Sequence, residues 1–531
     1  MKAAFLMMLL LLLGQKFYSD DPIKDDHDDL PIDQPATIEL SATYDLLSNT
    51  FAAPKLEQPI PRAMNTNTLG EVPNSSWFTN RIGVRNMSLE ELAQGPGIGR
   101  PPDVSRPLTI VSAKQGGITP GFTIRDSRGN VYFVKFDPKA HPSLTTGADT
   151  VSKNFFHAIG YNVPEAYIVY VRADNFILHA SAVIHLPGGK EVPMDREYLE
   201  FMLDNAARVP DGNVRAVASL MISGDILGPF RFHGTRSDDP NDIFPHQHRR
   251  ELRGYRVFCA WLNHDDSRAI NTLDAFVDHA QHVRHYLIDF GSTLGSGSDV
   301  FRNIAPQDPR AGNEYVLDVP GAWKTAYTFG ISDRPWRKVK YPYPNYAEVG
   351  RIEADFFEPE KWKPEYPNPA FDRMLADDAF WAAKIVARFS DDAVRAIVKT
   401  GDYLSPDAER YLADTLIKRR DKVVSYYFAQ VNPLDEFAVA GGKLSFTNLG
   451  ENPPGAYLYE WFVFDNETLE LESLGGEVVP VETVEPRIAV PDADASYLMV
   501  RIRTHVQSKA VEVFLRQEAD GYIVVGIDRE I

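Results

Sequence analysis

Alternating hydrophobic and polar positions in residues 105–185 predict a series of short strands around one helix. Residues 122–137 contain two alternating stretches on either side of a polar turn, which is typical of a β-hairpin. Residues 150–159 have the apolar spacing of a helix, and Gly160 followed by a nearby proline marks its end. In chain order we expect a strand, a glycine-rich loop, a hairpin, a helix and a further strand.

The apolar spacing becomes helical again after residue 247. Residues 248–262 carry an apolar stripe with a helical period. Two short strands follow, at 272–277 and 285–288, and they predict a second hairpin. Helical patterns resume over residues 372–431, so this part of the chain is predicted to be mostly helical.

The C-terminal stretch has a different pattern, with several short strands separated by Gly, Pro and Asn. Residues 457–464, 497–503 and 511–515 are rich in strand-forming residues. This spacing predicts a small β-sandwich. It contains no cluster of chemically reactive side chains, which leaves two interpretations open, a structural appendage and a binding module.

The start of the chain has the pattern of an export signal. Lys2 precedes an unbroken apolar run over residues 3–13. That run is shorter than the roughly 20 helical residues that a bilayer requires, so no stable membrane span is expected in the mature chain. We expect a periplasmic, cell-surface or secreted protein, with a truncated anchor or a misassigned start as alternatives. Residues 20–33 are acidic and contain proline, which predicts a mobile linker.

Composition and charge narrow the possible partners. Among 531 residues, 55 are Lys or Arg and 74 are Asp or Glu, giving a formal net charge of −19. A chain this acidic is poorly suited to bind nucleic acid, whose phosphates require a basic face. Cys259 is the single cysteine, so an internal disulfide and a cysteine-rich zinc site are excluded.

Three motifs occur in an informative order. Asn271 lies five positions after Asp266 of His264-x-Asp266, and Asp289-Phe290-Gly291 begins 18 positions after that asparagine. Upstream, Lys135 lies in a predicted strand that follows a glycine-rich loop. This order resembles that of protein kinases, and most of all the atypical bacterial kinases of the HipA-like and CotH-like kind.

The resemblance implies a two-lobed kinase-like domain. Together with the patterns at the two ends of the chain, it predicts an α+β protein with a C-terminal all-β, sandwich-like domain. The predicted parts are a signal peptide (1–20), an N-terminal extension packing on the kinase-like domain (21–104), an N-lobe (105–185), a helical C-lobe with the catalytic loop (186–435) and a β-sandwich-like domain (436–531).

The resemblance also implies ATP and Mg²⁺ as cofactors and assigns a role to each motif residue. Asp266 would accept the proton of the attacking hydroxyl, and Asn271 and Asp289 would bind metal through hard oxygen donors. The remaining roles are phosphate contact for Lys135, close backbone approach to phosphate for Gly116 and Gly117, and support of the site for His264, Asp149, Phe290 and Gly291.

The sequence departs from the kinase pattern in several places. There is no strict G-x-G-x-x-G in the glycine-rich loop and no A-P-E segment after the second motif. The acid expected to pair with Lys135 is Asp149, 14 residues on, which is one methylene shorter than the usual Glu. Arg249, Arg250 and Arg253 could hold an anionic substrate or form ion pairs with nearby acids.

Two functions from different classes remain open. The first is an ATP- and Mg²⁺-dependent phosphotransferase acting on an unknown hydroxyl of a protein, sugar or small molecule, with nucleotidyl transfer as a variant. The second is an exported pseudokinase that binds nucleotide or a partner without catalysis. Export favours the second, because ATP is scarce outside the cytoplasm, whereas the four intact motif residues favour the first.

Overall fold

The computed structural model combines α-helices with β-sheets, which confirms the mixed α+β composition. It describes residues 14–114, 121–186, 190–277, 280–297, 310–318, 346–450, 456–480, 486–504 and 508–531, and the single residues 327 and 339. The apolar run of the predicted signal peptide, Gly116 and Gly117 lie outside the described residues. Within them, no helix is both long and apolar enough to cross a membrane.

The helices lie mainly in the middle of the chain. They are α1 (Ala42–Phe51), α2 (Leu89–Gln94), α3 (Leu144–Ile159), α4 (Arg196–Asn205), α5 (Arg250–Leu262), α6 (Ala376–Ala387), α7 (Asp391–Lys399) and α8 (Pro406–Phe428).

The strands fall into two groups, one before residue 288 and one after residue 433. The first group is β1 (Leu108–Lys114), β2 (Gly121–Arg125), β3 (Val131–Phe136), β4 (Ala166–Val171), β5 (Phe176–His185), β6 (Glu191–Pro193), β7 (Val214–Leu220), β8 (Asp225–Gly228), β9 (Thr272–Val277) and β10 (His282–Leu287). The second is β11 (Leu434–Ala440), β12 (Lys443–Asn448), β13 (Ala456–Phe464), β14 (Leu471–Pro480), β15 (Arg487–Ala489), β16 (Tyr497–Thr504), β17 (Val511–Glu518) and β18 (Gly521–Arg529).

A seven-stranded sheet forms the first part of the fold, in the order β4-β7-β3-β2-β1-β5-β6. β3 alternates strictly, so that Tyr132, Val134 and Phe136 are buried in the core shared with α4. Because successive side chains of a strand point to opposite faces, Lys135 lies on the other face of the sheet. α3 contacts β3, β4 and β7.

The sheet continues past residue 185, where sequence reasoning ended the N-lobe. β7 lies between β3 and β4, although β5, β6 and α4 intervene in the chain. Such an insertion cannot be recognised from local patterns, because pairing between distant strands leaves no periodic signal in the sequence. The seven-stranded sheet therefore extends to Leu220.

The helical part of the chain is built around one large hydrophobic core. This core unites buried residues of α3, α5, α6, α7 and α8 with Trp77 and Phe78 from the N-terminal region. The N-terminal region is also tied down where a mobile linker was expected. Asp28 is buried and accepts hydrogen bonds from the backbone and hydroxyl of Ser76, and the Asp26 amide donates to the Asn74 carbonyl.

Two antiparallel sheets form the C-terminal part, with orders β11-β12-β15 and β14-β13-β16-β17-β18. Residues from both sheets contribute to a single hydrophobic cluster. The ion pair between Asp435 and Lys384 joins this region to α6, and the ion pair between Asp435 and Arg529 joins β11 to β18.

Phe17, near the beginning of the chain, is an integral part of the five-stranded sheet's core. It is 1% exposed and packs against Phe464, Tyr497 and Phe514, at ring distances of 5.2–6.0 Å. Its backbone exchanges two hydrogen bonds with the Asn466 side chain. Cleavage after residue 20, the predicted end of the signal peptide, would remove Phe17 from this pocket.

We expect Phe17→Ala to lower the free energy of unfolding by about 3–5 kcal/mol, because it empties an aromatic pocket in a packed core. Tyr18→Ala is the matched control, since Tyr18 is 53% exposed, and it should change stability by no more than about 0.5 kcal/mol. Chemical denaturation of both variants measures the difference. Equal stabilities for the two variants would mean that Phe17 does not hold the sheet.

Candidate active site

The loop after α5 positions Asp266 and Asn271. Asn263 directly follows the last residue of α5, and its left-handed backbone (φ 51°) turns the chain away from the helix axis. The side-chain amide of Asn271 then donates to the Asp266 carbonyl at 2.8 Å and fixes the shape of the loop. Among the described residues, no group donates a hydrogen bond to the side-chain oxygen of Asn271, which leaves that oxygen as a potential ligand.

Asp266 is nearly buried, and two side chains contact its carboxylate. The Ser292 hydroxyl donates to Oδ2 at 3.1 Å, and the Arg268 guanidinium forms an ion pair with Oδ1. Burial raises the pKa of Asp266 above its ordinary value, although the charge of Arg268 opposes the shift. A carboxylate with a raised pKa next to a hydroxyl is suited to accept a proton.

Asp289 follows β10 and adopts a left-handed backbone conformation (φ 58°). Such a conformation is uncommon for a residue with a side chain and is concentrated at functional sites. Its Oδ1 lies 2.5 Å from Lys135 Nζ, across 154 residues of sequence. Burial alone would raise the pKa of Asp289, but the charge and hydrogen bond of Lys135 outweigh it and lower the pKa to about 2. Asp289 is therefore ionised throughout the physiological range.

Asp149 lies in the same region, but the structure pairs it with a different lysine. Its Oδ1 is 2.5 Å from Lys153 Nζ, one turn along α3, and both side chains are 2% exposed. Lys135 pairs instead with Asp289, which differs from the expected pairing. The short Asp149 side chain has a partner on its own helix at the i+4 spacing, which explains the difference. Asp149 nevertheless helps to raise the pKa of Lys135, as does Asp289, against the effect of burial.

His264, Phe290 and Gly291 flank the motif residues and are held in place by their own contacts. The His264 ring is hydrogen-bonded to the Thr293 hydroxyl at 3.0 Å, and burial lowers its pKa to about 3, so it is neutral. Phe290 is fully buried and stacks on Phe156 of α3. Gly291 leaves no room for a side chain, because an added Cβ would lie 2.8 Å from a methyl group of Thr145.

Sequence reasoning missed three residues that shape this site. Arg268 was detectable, since it lies in the loop itself, two positions after Asp266. Lys153 gave no signal, because a lysine in a helical pattern is normally exposed; here it is buried and donates to the Ser219 hydroxyl at 2.6 Å. Asp137 gave no signal either, because an aspartate directly after a strand normally lies in an exposed loop.

Asp137 explains why α3 begins earlier than its apolar spacing predicts. The carboxylate is fully buried and accepts hydrogen bonds from the backbone amides of residues 143, 145 and 146. It also accepts a hydrogen bond from the Thr146 hydroxyl, and its Oδ2 lies 3.5 Å from Nε of Arg215 in β7. Arg215 in turn donates to the Gly401 and Asp402 carbonyls, which links β7 of the seven-stranded sheet to the loop between α7 and α8.

The donor set suits a hard divalent cation such as Mg²⁺. Asp289 offers an ionised carboxylate and Asn271 a carbonyl oxygen, and Mg²⁺ prefers such ligands together with phosphate oxygens. In the part of the chain that the structure describes, no three His, Cys, Asp or Glu side chains cluster to hold a metal on their own. Asp289 and Asn271 are therefore the two candidate protein ligands for a metal at this site.

Two buried histidines outside the three motifs have structural partners. His246 is hydrogen-bonded to Asp242 and His285 to Asp274, each at 2.7 Å, so both rings are held by buried carboxylates. Arg249, Arg250 and Arg253, at the start of α5, form ion pairs with nearby acids, which was one of the two interpretations of their sequence. They contact Asp242, Asp377 and Asp378.

Comparisons with known proteins give little further information. No family model matches the chain, and none of the curated proteins matches it. Among solved structures, the chain is similar to the proinflammatory kinase CtkA of Helicobacter pylori, with 12% identity over 60% of this chain and 93% of that chain and a TM-score of 0.31. A likeness this weak supports no conclusion about function, which must come from the geometry of the site.

Proposed function

We propose that the protein is a kinase-like phosphotransferase that uses ATP and Mg²⁺. The observation that carries this proposal is the ion pair between Lys135 and Asp289, 154 residues apart, directly beside the loop that holds Asp266 and Asn271. Phosphoryl transfer requires little covalent chemistry from a protein. It requires positioning, charge neutralisation and a group that accepts the proton of the acceptor hydroxyl.

The residues of the chain divide these tasks. Lys135 would contact the phosphates of the nucleotide, and Asp289, its ion-pair partner, would bind the metal. Asp266 would hold the acceptor hydroxyl and take its proton. Arg268, which is also 3.5 Å from Glu365, would keep the Asp266 carboxylate oriented. Bound Mg²⁺ supplies charge neutralisation of the phosphate oxygens.

Thermal unfolding with Mg²⁺-ATP tests this function most directly. We expect wild type to be stabilised by about 2.7 kcal/mol at a ligand concentration 100 times Kd. Asp289→Ala should lose most of that stabilisation, because it removes the ionised metal ligand and the partner of Lys135. Asp465→Ala is the control, since this aspartate binds only backbone and side chain of its own turn in the C-terminal sheet.

The result has a clear alternative. If millimolar Mg²⁺-ATP stabilises neither the wild type nor the control, the nucleotide site does not exist. If Asp289→Ala is stabilised as strongly as wild type, nucleotide binds elsewhere on the protein.

A further inference from the structure

The Ser292 hydroxyl contacts the carboxylate that the proposed function assigns as the base. Its Oγ donates to Asp266 Oδ2 at 3.1 Å, so a hydroxyl and a candidate base are in hydrogen-bond contact. Ser292 directly follows Gly291 and lies three residues from Asp289, so it belongs to the segment that borders the proposed phosphate site. Ser292 is partly exposed.

The neighbouring hydroxyls are held differently. Thr293 is buried and hydrogen-bonded to His264, while Ser296 is buried and donates to the Gly291 and Thr293 carbonyls. Of the three hydroxyls in residues 292–296, Ser292 is the one that contacts Asp266. The geometry therefore distinguishes one acceptor from its neighbours.

We propose that Ser292 is a phosphoryl acceptor within the protein itself. The inference rests on the proposed function, because it uses the same nucleotide and the same base. The Ser292 Oγ forms a bond to the γ-phosphorus of ATP while the bond from that phosphorus to the β–γ bridging oxygen breaks. The bridging oxygen leaves with the electron pair as part of ADP, and the hydroxyl proton passes to Asp266.

The product would limit further transfer. A phosphoserine carries about −1.5 to −2 charges near neutral pH. Placed beside Asp266, it would repel that carboxylate and occupy the position an external acceptor needs. The modification should therefore stop at one phosphoryl group per chain at this position and slow transfer to added acceptors.

Mass spectrometry of the full chain after incubation with Mg²⁺-ATP tests the proposal. We expect one phosphoryl group on the peptide that contains Ser292, absent from Ser292→Ala and recovered as phosphothreonine in Ser292→Thr. Ser296→Ala is the matched control from the same segment and should remain modified at Ser292. Because base and acceptor belong to one chain, the modified fraction at a given time should not depend on protein concentration.

A second measurement needs no nucleotide. A double-mutant cycle of Ser292→Ala and Asp266→Ala, followed by denaturant unfolding, should show that the two side chains are energetically coupled. The matching cycle with Ser296→Ala should show no coupling, because Ser296 donates to the Gly291 and Thr293 carbonyls. The absence of coupling between Ser292 and Asp266 would show that their contact is absent in solution and would overturn the inference.

The outcomes separate this inference from the proposed function. If Mg²⁺-ATP stabilises the protein but Ser292 stays unmodified, Ser292 is not an acceptor, and the nucleotide site stands. A modified fraction that rises with protein concentration would show transfer between chains and overturn the intramolecular step. If Mg²⁺-ATP has no effect on unfolding, both proposals fail together.

Discussion

Asp266→Asn is expected to lower the rate of phosphoryl transfer by about 10²- to 10⁴-fold, the range typical of losing a general base. The amide preserves the shape of the side chain but cannot accept a proton from the acceptor hydroxyl. Asp289, Asn271 and Lys135 remain in place, so stabilisation by Mg²⁺-ATP should persist. Radiolabel transfer from ATP and thermal unfolding, measured on the same preparation, separate the two effects.

The neighbouring residue provides a matched control. Asp265→Asn makes the same chemical change one position away, and Ser292 does not bond to this residue. We expect it to retain most of the transfer activity, because the Ser292 hydroxyl donates to Asp266, provided that its unfolding temperature matches wild type. Equal losses for the two variants would mean that Asp266 has no special role in proton transfer.

The pH dependence of transfer provides an independent check on the same residue. Burial raises the pKa of Asp266, and only its ionised form can take a proton. Activity should therefore fall, as pH decreases, at a pH above the ordinary aspartate pKa. The pKa of Asp289 is about 2, so protonation of the metal ligand cannot produce that loss. If activity fell only near the ordinary pKa of an aspartate, this would contradict the assignment of Asp266 as the base.

Asp137→Ala is expected to destabilise the fold by about 3–5 kcal/mol, since it leaves Arg215 fully buried without its buried carboxylate partner. The other carboxylate near Arg215 belongs to exposed Asp402 and lies 3.7 Å away. The same change removes the acceptor for three backbone amides at the start of α3. Denaturant unfolding measures the loss. Asp174→Ala is the control, because this exposed aspartate pairs only with exposed Arg172 and should contribute no more than about 1 kcal/mol.

A loss similar to that of the control would contradict this expectation. It would mean that the Arg215 hydrogen bonds to the Gly401 and Asp402 carbonyls are sufficient to hold β7 against the loop between α7 and α8. Asp137→Asn refines the result, because it removes the charge and keeps a side-chain oxygen for the helix amides. A smaller loss for Asn than for Ala would assign the difference to capping of α3.

Local patterns predicted the parts of the fold that local contacts determine. The hairpin of β2 and β3, the extent of α5 and the hairpin of β9 and β10 all agree closely with their apolar spacing. The start of α3 does not, because Asp137 caps it from outside the helix. The position of β7 does not either, since its neighbours in the sheet are distant in sequence.

The candidate site shows the same division. The spacing of Asp266, Asn271 and Asp289 is visible in the sequence because one loop and one hairpin hold all three. The partner of Lys135 is not visible, because Asp289 and Asp149 both lie within electrostatic reach and only the folded geometry decides between them. Lys153 was missed for a similar reason, since burial of a lysine depends on the surrounding elements.

The burial of Phe17 bears on the order in which the chain can fold during synthesis. Phe514 and Val525, which form its pocket, are synthesised long after Phe17. The segment that contains Phe17 therefore cannot dock until β17 and β18 have been made. Throughout that interval Phe17 remains accessible to the factors that bind nascent chains.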